Sequence, residues 1–564
     1  MQIKFSKWVQ NPWISLGVIC LLTFLAYSNI FHNPFFMDDY AFIVDWSLIQ
    51  DWDNLPQFFL GYQPPPGQEG VFSPIKTLIH AFNYHSFGDD PFGYHVFAFI
   101  NYLISIMIVY KISLFFLRDR LATFLGTLLF ALHPVHIEYV TSLTGSVDAV
   151  GVNLMFISFF FYIRGQRDDG GLNRPYYLSS LGFALASIYL HELCITLPVS
   201  FLCYDACFMS KKISYRKVFL RTLPLFLFSA SYVLAKFLTL GTITRGRYLY
   251  DSFYLTMLVT VKAWAKYVYI SFFPATLTFN HVISKGIFSF DQEDFDRISV
   301  MTQSILDPQV LISLVMLGGI GYFAFKNFKK NPLITFCVGW FFIGLLPGSN
   351  IVPSGVYFAE RYLYPGSLGF CLLFGWSMNK LFQSEKRFFK VRASTVAAVI
   401  TVMITVLFGA RIWARNLDAK TEVALYESAV RANPQSALMR TDLGLVYIRY
   451  QFPEKAIESF KEALKIRIDD PVIYFSMAEA YMNIGENEQA KEALETAVIV
   501  DPDYADAYYN LAGVCAALGE NASAREYLNK AVLYYRQQGE NQKADHYEKL
   551  FKDFFRGVWK ENLN

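Results

Sequence analysis

The chain has 564 residues, of which 54% are hydrophobic, 18% aromatic and only 17% charged, a balance that excludes an ordinary water-soluble enzyme of three or four globular domains. Its net charge of +2 averages two unlike parts: residues 1–412 hold 31 Lys+Arg against 23 Asp+Glu, whereas residues 413–564 hold 18 against 24. The expected fold is therefore all-α, a polytopic membrane helix bundle over 1–412 followed by a soluble domain over 413–564. No basic patch asks for nucleic acid. Cys20, Cys194, Cys203, Cys207, Cys337, Cys371 and Cys515 are too scattered for a disulfide framework or a zinc site.

Eleven apolar runs long enough to cross a bilayer begin near Trp13, Tyr94, Leu121, Ala149, Tyr176, Leu193, Thr222, Val310, Leu333, Leu363 and Val396. The first lacks an Ala-x-Ala cleavage pattern and reads as an anchor. A long loop over 32–92 follows it. Basic residues gather at Lys4/Lys7, Lys111/Arg118/Arg120, Arg164/Arg167/Arg174, Lys211/Lys212/Arg216/Lys217/Arg221, Lys326/Lys329/Lys330 and Lys380/Lys386/Arg387/Lys390/Arg392. All six clusters face the cytosol if the segment 255–273 lies in the interface, as its Lys262 and Lys266 on one helical face suggest. Eleven crossings place the N-terminus in the cytosol and the C-terminal part outside; twelve would return that part to the cytosol.

Beyond Trp413 the sequence repeats every 34 residues. Leu443, Met477 and Leu511 align, as do Gly444, Ala478 and Ala512. So do Ala456, Ala490 and Ala524, then Ala463, Ala497 and Ala531, with Phe460, Leu494 and Leu528 between them. Small residues at these offsets let paired helices approach, and the larger ones fill the space between pairs. The pattern resembles the tetratricopeptide repeat. Ala429 and Pro434 mark a half repeat before it, and Tyr547, Leu550, Phe551, Phe554 and Phe555 mark a capping helix over 541–559. Such an array presents a concave face for a peptide or partner; the blander reading is a rigid spacer or a dimer contact.

In the membrane part, ionisable residues at helix ends are the informative ones, because an unpaired charge there costs several kcal/mol. With eleven crossings, Asp38, Asp39, Glu138 with His133 and His136, Asp148, His191 with Glu192, and Glu360 with Arg361 all fall on the outer side. Any one of them alone reads as a solvated loop charge or a helix cap. Their convergence on one surface points to a site.

The stretch Asn33-Pro-Phe-Phe-Met-Asp-Asp-Tyr40 resembles the acidic motif in the first outer loop of glycosyltransferases of the GT-C fold. His133-Pro-Val-His-Ile-Glu138, Gly145-Ser-Val-Asp148, His191-Glu192 and Ala359-Glu-Arg-Tyr-Leu-Tyr364 with Ser367-Leu-Gly369 follow in order ahead of the repeats. Together they resemble the transmembrane and tetratricopeptide-repeat O-mannosyltransferases and their bacterial relatives, from about Asn29 to Phe555. Three departures stand out. The family often has Arg-Pro where this chain has Ser73-Pro74, Arg where it has Ser146, and Lys-Glu where it has His191-Glu192, so expected positive charges are missing or depend on pH.

The resemblance implies a glycosyltransferase that moves a sugar from a polyprenyl-phosphate carrier to a protein Ser/Thr hydroxyl on the non-cytosolic face, with inversion, the repeats recruiting the acceptor protein. A hydroxyl needs a carboxylate to take its proton as it attacks, a role for Asp38 or Asp39. A guanidinium stabilises the departing phosphate, Arg361 first and Arg245 or Arg247 next. Glu138, Asp148 and Glu192 bind sugar hydroxyls or hold the histidines and arginines, and Glu360, His133, His136 and His191 belong to the same shell. No cofactor or metal is required, although two adjacent carboxylates can hold a divalent cation. Competing readings are a transferase acting on a lipid or glycan, a transporter, and a non-catalytic membrane scaffold. The Phe/Tyr/Ile-rich helices lean toward a bacterial inner membrane with periplasmic repeats; in a eukaryote the repeats would lie in the endoplasmic reticulum lumen.

Overall fold

The computed structural model describes residues 9–68, 70–167, 170–209, 213–284, 287–289, 304–388 and 391–550. Lys4, Lys7, Lys211, Lys212, Lys390, Phe551, Phe554 and Phe555 lie outside the described residues. The chain forms two compact units, a first that ends at Ala424 and a C-terminal one from Leu425. The change in composition at 413 falls inside a helix of the first unit, Ala393–Asp418.

Each of the eleven apolar runs forms a helix. In chain order the first unit holds α1 (Pro12–Tyr27), α2 (Pro74–Phe87), α3 (Pro91–Leu117), α4 (Arg120–Ala131), α5 (Ile137–Thr141), α6 (Leu143–Arg164), α7 (Arg174–Leu190), α8 (Leu197–Tyr204), α9 (Tyr215–Leu240), α10 (Phe253–Phe272), α11 (Pro308–Asn327), α12 (Pro332–Leu345), α13 (Leu363–Gln383) and α14 (Ala393–Asp418). Among the described residues, six helical segments have the length and mean hydropathy to cross a bilayer, and α4 with the turn over Pro134–Thr141, bent by 50°, makes a seventh. The chain is an integral membrane protein. Some of the remaining helices are too short to be counted this way: the 14 residues of α12 rise only about 21 Å, against a hydrocarbon core of about 30 Å. The segment 255–273 is α10, in which Lys262 reaches Asp307 at 2.7 Å and Lys266 donates to the Val282 carbonyl. Both lysines are thus held by protein groups.

The long loop after α1 contains helix α2, whose polar side packs inward: Lys76, Thr77, His80 and Asn83 are buried while Phe82 is exposed. A hydrophobic pattern could not announce it.

Two devices hold the bundle together. The first is aromatic: Phe116, Phe159, Phe336 and Trp340 form a continuous stack, with ring centroids 4.8 Å apart for Phe116 and Phe336 and 4.5 Å for Phe159 and Trp340. The second is the absence of side chains. A methyl at Gly369 would overlap the Cys337 carbonyl of α12, and one at Gly375 the Ala122 carbonyl of α4, so α13 lies backbone to backbone against both neighbours. Helices in a bilayer gain by this close approach because lipid supplies no hydrophobic drive for pairing.

In the C-terminal unit, helices Ala437–Arg449, Pro453–Leu464, Pro471–Asn483, Asn487–Val500, Ala505–Ala517 and Asn521–Gln537 form three antiparallel pairs. Ala456, Ala463, Ala490, Ala497, Ala524 and Ala531 are fully buried, with Phe460, Leu494 and Leu528 between them, as the 34-residue period requires. Ala429, in the preceding helix Glu422–Ala432, is buried too. A further helix over 541–550 stacks Tyr547 on Tyr509 at 3.9 Å.

The contact at Gly369 is directly testable. Gly369→Ala should lower thermal stability in detergent by about 1–3 kcal/mol, because one methyl must push two backbones apart. Gly319, with open space around it, should accept the same change with a melting temperature close to that of the parent.

Candidate active site

The start of the acidic loop is tied to α14 and α3. Asn33 Nδ2 donates to the Asn416 carbonyl at 3.3 Å, and its own carbonyl is 3.0 Å from His95 Nε2. Asn416 Nδ2 donates to Asn29 Oδ1 at 3.0 Å, and Asn29 Nδ2 donates to the Trp413 carbonyl at 2.9 Å. The end of α1 is thereby clasped to α14, and the chain from Phe35 onward is aimed at the mouth of the bundle.

The two adjacent aspartates then part. Asp39 is 1% exposed, and its Oδ1 accepts from the Thr144 amide at 3.0 Å and the Thr144 hydroxyl at 2.8 Å, while Oδ2 accepts from the Phe36 amide. Burial pushes this carboxyl up to about 6, against the lowering pull of those donors. Asp38 instead faces a polar cavity of about 100 Å³ that it shares with Lys76, Glu138, Asp148, His191, Glu192, Arg245 and Arg361. Residues separated by more than three hundred positions thus line one space.

Within the cavity each acid has its own arrangement. Glu138 is clamped by Arg361, whose backbone amide donates to Oε2 at 2.9 Å and whose Nη1 lies 2.5 Å from Oε1. Asp148 Oδ1 lies 2.8 Å from Lys76 Nζ and 3.4 Å from His191 Nδ1; the other ring nitrogen of His191 is 3.3 Å from the Tyr139 hydroxyl. One oxygen of Glu192 meets two cations, Arg245 at 3.3 Å and Lys236 at 3.6 Å. Asp38 has no ion pair among the described residues. Gly145 secures the geometry behind these groups: its missing Cβ would stand 2.5 Å from the Glu138 carbonyl.

The remaining expected residues sit elsewhere. His133 Nε2 lies 2.9 Å from the Ser271 carbonyl, and His136 bridges the Tyr102 hydroxyl and Ser367 Oγ, each at 3.0 Å. These histidines stitch the bend after α4 to α10, α3 and α13 and do not line the cavity. Glu360 points to the other side of its turn, accepting from the Thr278 amide at 2.8 Å and facing His281 Nε2 at 2.6 Å. Arg247 is exposed and is not among the cavity-lining residues. No group of three or more His, Cys, Asp or Glu suited to a metal ion occurs among the described residues.

Lys76, Lys236, Thr144 and Tyr139 were not singled out by the motifs. A signal for the two lysines existed: Lys76 is the one charged residue between Val71 and Gly88, and Lys236 the one between Thr222 and Thr244. A lone cation in such surroundings needs a buried partner. Together with Arg245, they supply positive charge where Ser73, Ser146 and His191 do not.

Residues 475–543 match the family model of the tetratricopeptide repeat. The chain is 23% identical over 536 residues to the protein O-mannosyl-transferase Tmtc3 of Drosophila melanogaster, covering 84% of this chain and 57% of that one. It is 25% identical over 468 residues to a protein O-mannosyl-transferase of Caenorhabditis elegans, covering 80% and 62%. The protein O-mannosyl-transferase TMTC3 of Homo sapiens is 24% identical over 494 residues, covering 81% and 52%. The chain therefore spans between about half and three-fifths of the length of these relatives. Among solved structures, MamA is 25% identical with a TM-score of 0.20, covering 26% of this chain and 96% of that one. ArnT from Cupriavidus metallidurans bound to undecaprenyl phosphate is 11% identical with a TM-score of 0.39, covering 88% and 80%. Over about four-fifths of its length, the chain is similar in sequence to these protein O-mannosyl-transferases.

Proposed function

We propose that this protein is a membrane glycosyltransferase of the GT-C type that moves a sugar from a polyprenyl-phosphate carrier to a Ser/Thr hydroxyl of a protein, on the non-cytosolic face and with inversion. One observation carries the reading: carboxylates and cations from segments far apart in the chain meet in one polar cavity, and Asp38 is the acid there without an ion pair among the described residues. A carboxylate already neutralised by a cation is a poor proton acceptor; Asp38 has its lone pairs available. Asp39 holds the loop through Thr144, and Asp38 takes the acceptor's proton as its oxygen attacks the anomeric carbon. The bond from that carbon to the phosphate oxygen breaks on the opposite side, and Arg361 and Arg245 face the phosphate as it leaves.

Glu138 and Asp148, each fixed by a cation, and Glu192 present oxygens to the sugar hydroxyls. An apolar cavity of about 420 Å³ among α10, α11, α12 and α13, lined by Phe272, Val315, Phe341 and Leu373 among others, gives room for part of a polyprenyl chain. The tetratricopeptide repeats bind the acceptor protein. In a bacterium this places the repeats in the periplasm.

Asp38→Asn should lower transfer by roughly a hundred- to ten-thousand-fold, the range for losing a general base, as measured by mass spectrometry of glycopeptides from cells carrying each variant. Transfer at the parental level would refute the assignment, and a non-catalytic scaffold would show no difference between the two.

Asp39→Asn tests the anchoring role through stability. With a folded value of about 6 against an ordinary 3.8, the folded chain keeps a proton that the unfolded chain has released. This contribution is fully present below about pH 4 and falls away as pH rises through 6, by roughly 3 kcal/mol at most. The slope should appear in melting curves of the parent in detergent and vanish in Asp39→Asn.

A further inference from the structure

Three ion pairs line the cavity, and they are not equally closed. Glu138 takes two donors from Arg361 at 2.9 and 2.5 Å, and Asp148 holds Lys76 at 2.8 Å with the lysine side chain only 7% exposed. A charge-assisted N–H···O contact spans about 2.7–2.9 Å, and Arg361 and Lys76 both stand within that reach of their carboxylates. Glu192 differs. Its Oε2 is shared by Arg245 at 3.3 Å and Lys236 at 3.6 Å, both longer than that ideal. No closer polar contact to the Arg245 guanidinium occurs among the described residues. Its side chain, 31% exposed, is also the most accessible of the cations paired in the cavity.

The consequences of withdrawing each cation differ as well. Moving Arg361 onto a ligand would strand the Glu138 carboxylate, and moving Lys76 would leave Asp148 with a histidine. Moving Arg245 leaves Glu192 with Lys236, whose side chain is only 6% exposed and reaches the same carboxylate oxygen. The loop bearing Arg245 stays in place throughout, since the Arg245 amide donates to the Pro353 carbonyl at 3.3 Å and Gly246 lies against the backbone of Gly355. Only the guanidinium has to swing.

We propose that Arg245 is the residue that grips the phosphate of a polyprenyl-phosphate ligand, and that Lys236 is a positioning residue which frees it by remaining on Glu192 as its counter-ion. This rests on the reading of the cavity as a polyprenyl-phosphate site and adds which cation is mobile and why. Guanidinium suits the task because its planar fork meets two phosphate oxygens at once. Lys236 does not touch the ligand and acts through Glu192.

The test uses the full chain in detergent and farnesyl phosphate, which carries no sugar, as the probe, with binding read by calorimetry. Arg245→Gln should abolish binding. Lys236→Met should weaken it about tenfold or more, because Glu192 then keeps Arg245 for itself, whereas Lys236→Arg should stay within about threefold of the parent. Adding Glu192→Gln to Lys236→Met removes the competing carboxylate and should return affinity to about the parental level. A lysine that merely supported the fold would not be rescued in this way, and recovery also shows that the double variant is folded. Binding that ignores Lys236→Met, or that the second substitution fails to restore, overturns the proposal while leaving the phosphate reading intact. A parent chain that does not bind farnesyl phosphate overturns both.

Discussion

A charge taken out of water must bring its counter-charge with it, and the architecture of the first unit follows from that requirement. Uncompensated, each buried ion in the cavity would cost several kcal/mol. The chain meets the requirement by matching acids to cations drawn from different helices: Glu138 to Arg361, Asp148 to Lys76, Glu192 to Arg245 and Lys236. Each pair is also a tether between segments far apart in sequence. The groups that line the cavity are thus also the groups that hold its walls together, and Asp38 stands out because it has no such pairing among the described residues.

Much of this was legible from the residues alone, for identifiable reasons. Apolar runs report membrane helices because nothing else can satisfy a backbone in lipid, and every run proposed became a helix. The 34-residue spacing of small residues specified the repeats because packed helix pairs leave no freedom at those positions. Acids at helix ends were found because ionisable groups are rare there, and Asp38, Glu138, Asp148 and Glu192 do converge.

What remained hidden was the direction in which side chains point. Asp38 and Asp39 are indistinguishable as letters; the turn at Met37, with φ of 51°, and the two donors of Thr144 separate them. His133 and His136 read as site residues because they flank Glu138, yet the bend after α4 turns both rings into the bundle. Helix α2 escaped notice for the opposite reason. Its buried side is polar, so hydrophobic periodicity misreads it, although Lys76 on that side completes the site. Glu360 and Arg361 are neighbours that diverge because a 3₁₀ turn separates successive side chains by about 120°.

The asparagine clasp between the end of α1 and α14 also orders events in time. Asn29 and Asn33 leave the ribosome early, whereas Trp413 and Asn416 emerge after every other helix of the first unit. The aspartate loop can therefore take its bonds to His95 and Thr144 during synthesis, but its clasp to α14 forms only when that helix docks. Truncation anywhere before Trp413 would remove the clasp and leave the acidic loop held only by the contacts of Asn33 with His95 and of Asp39 with Thr144.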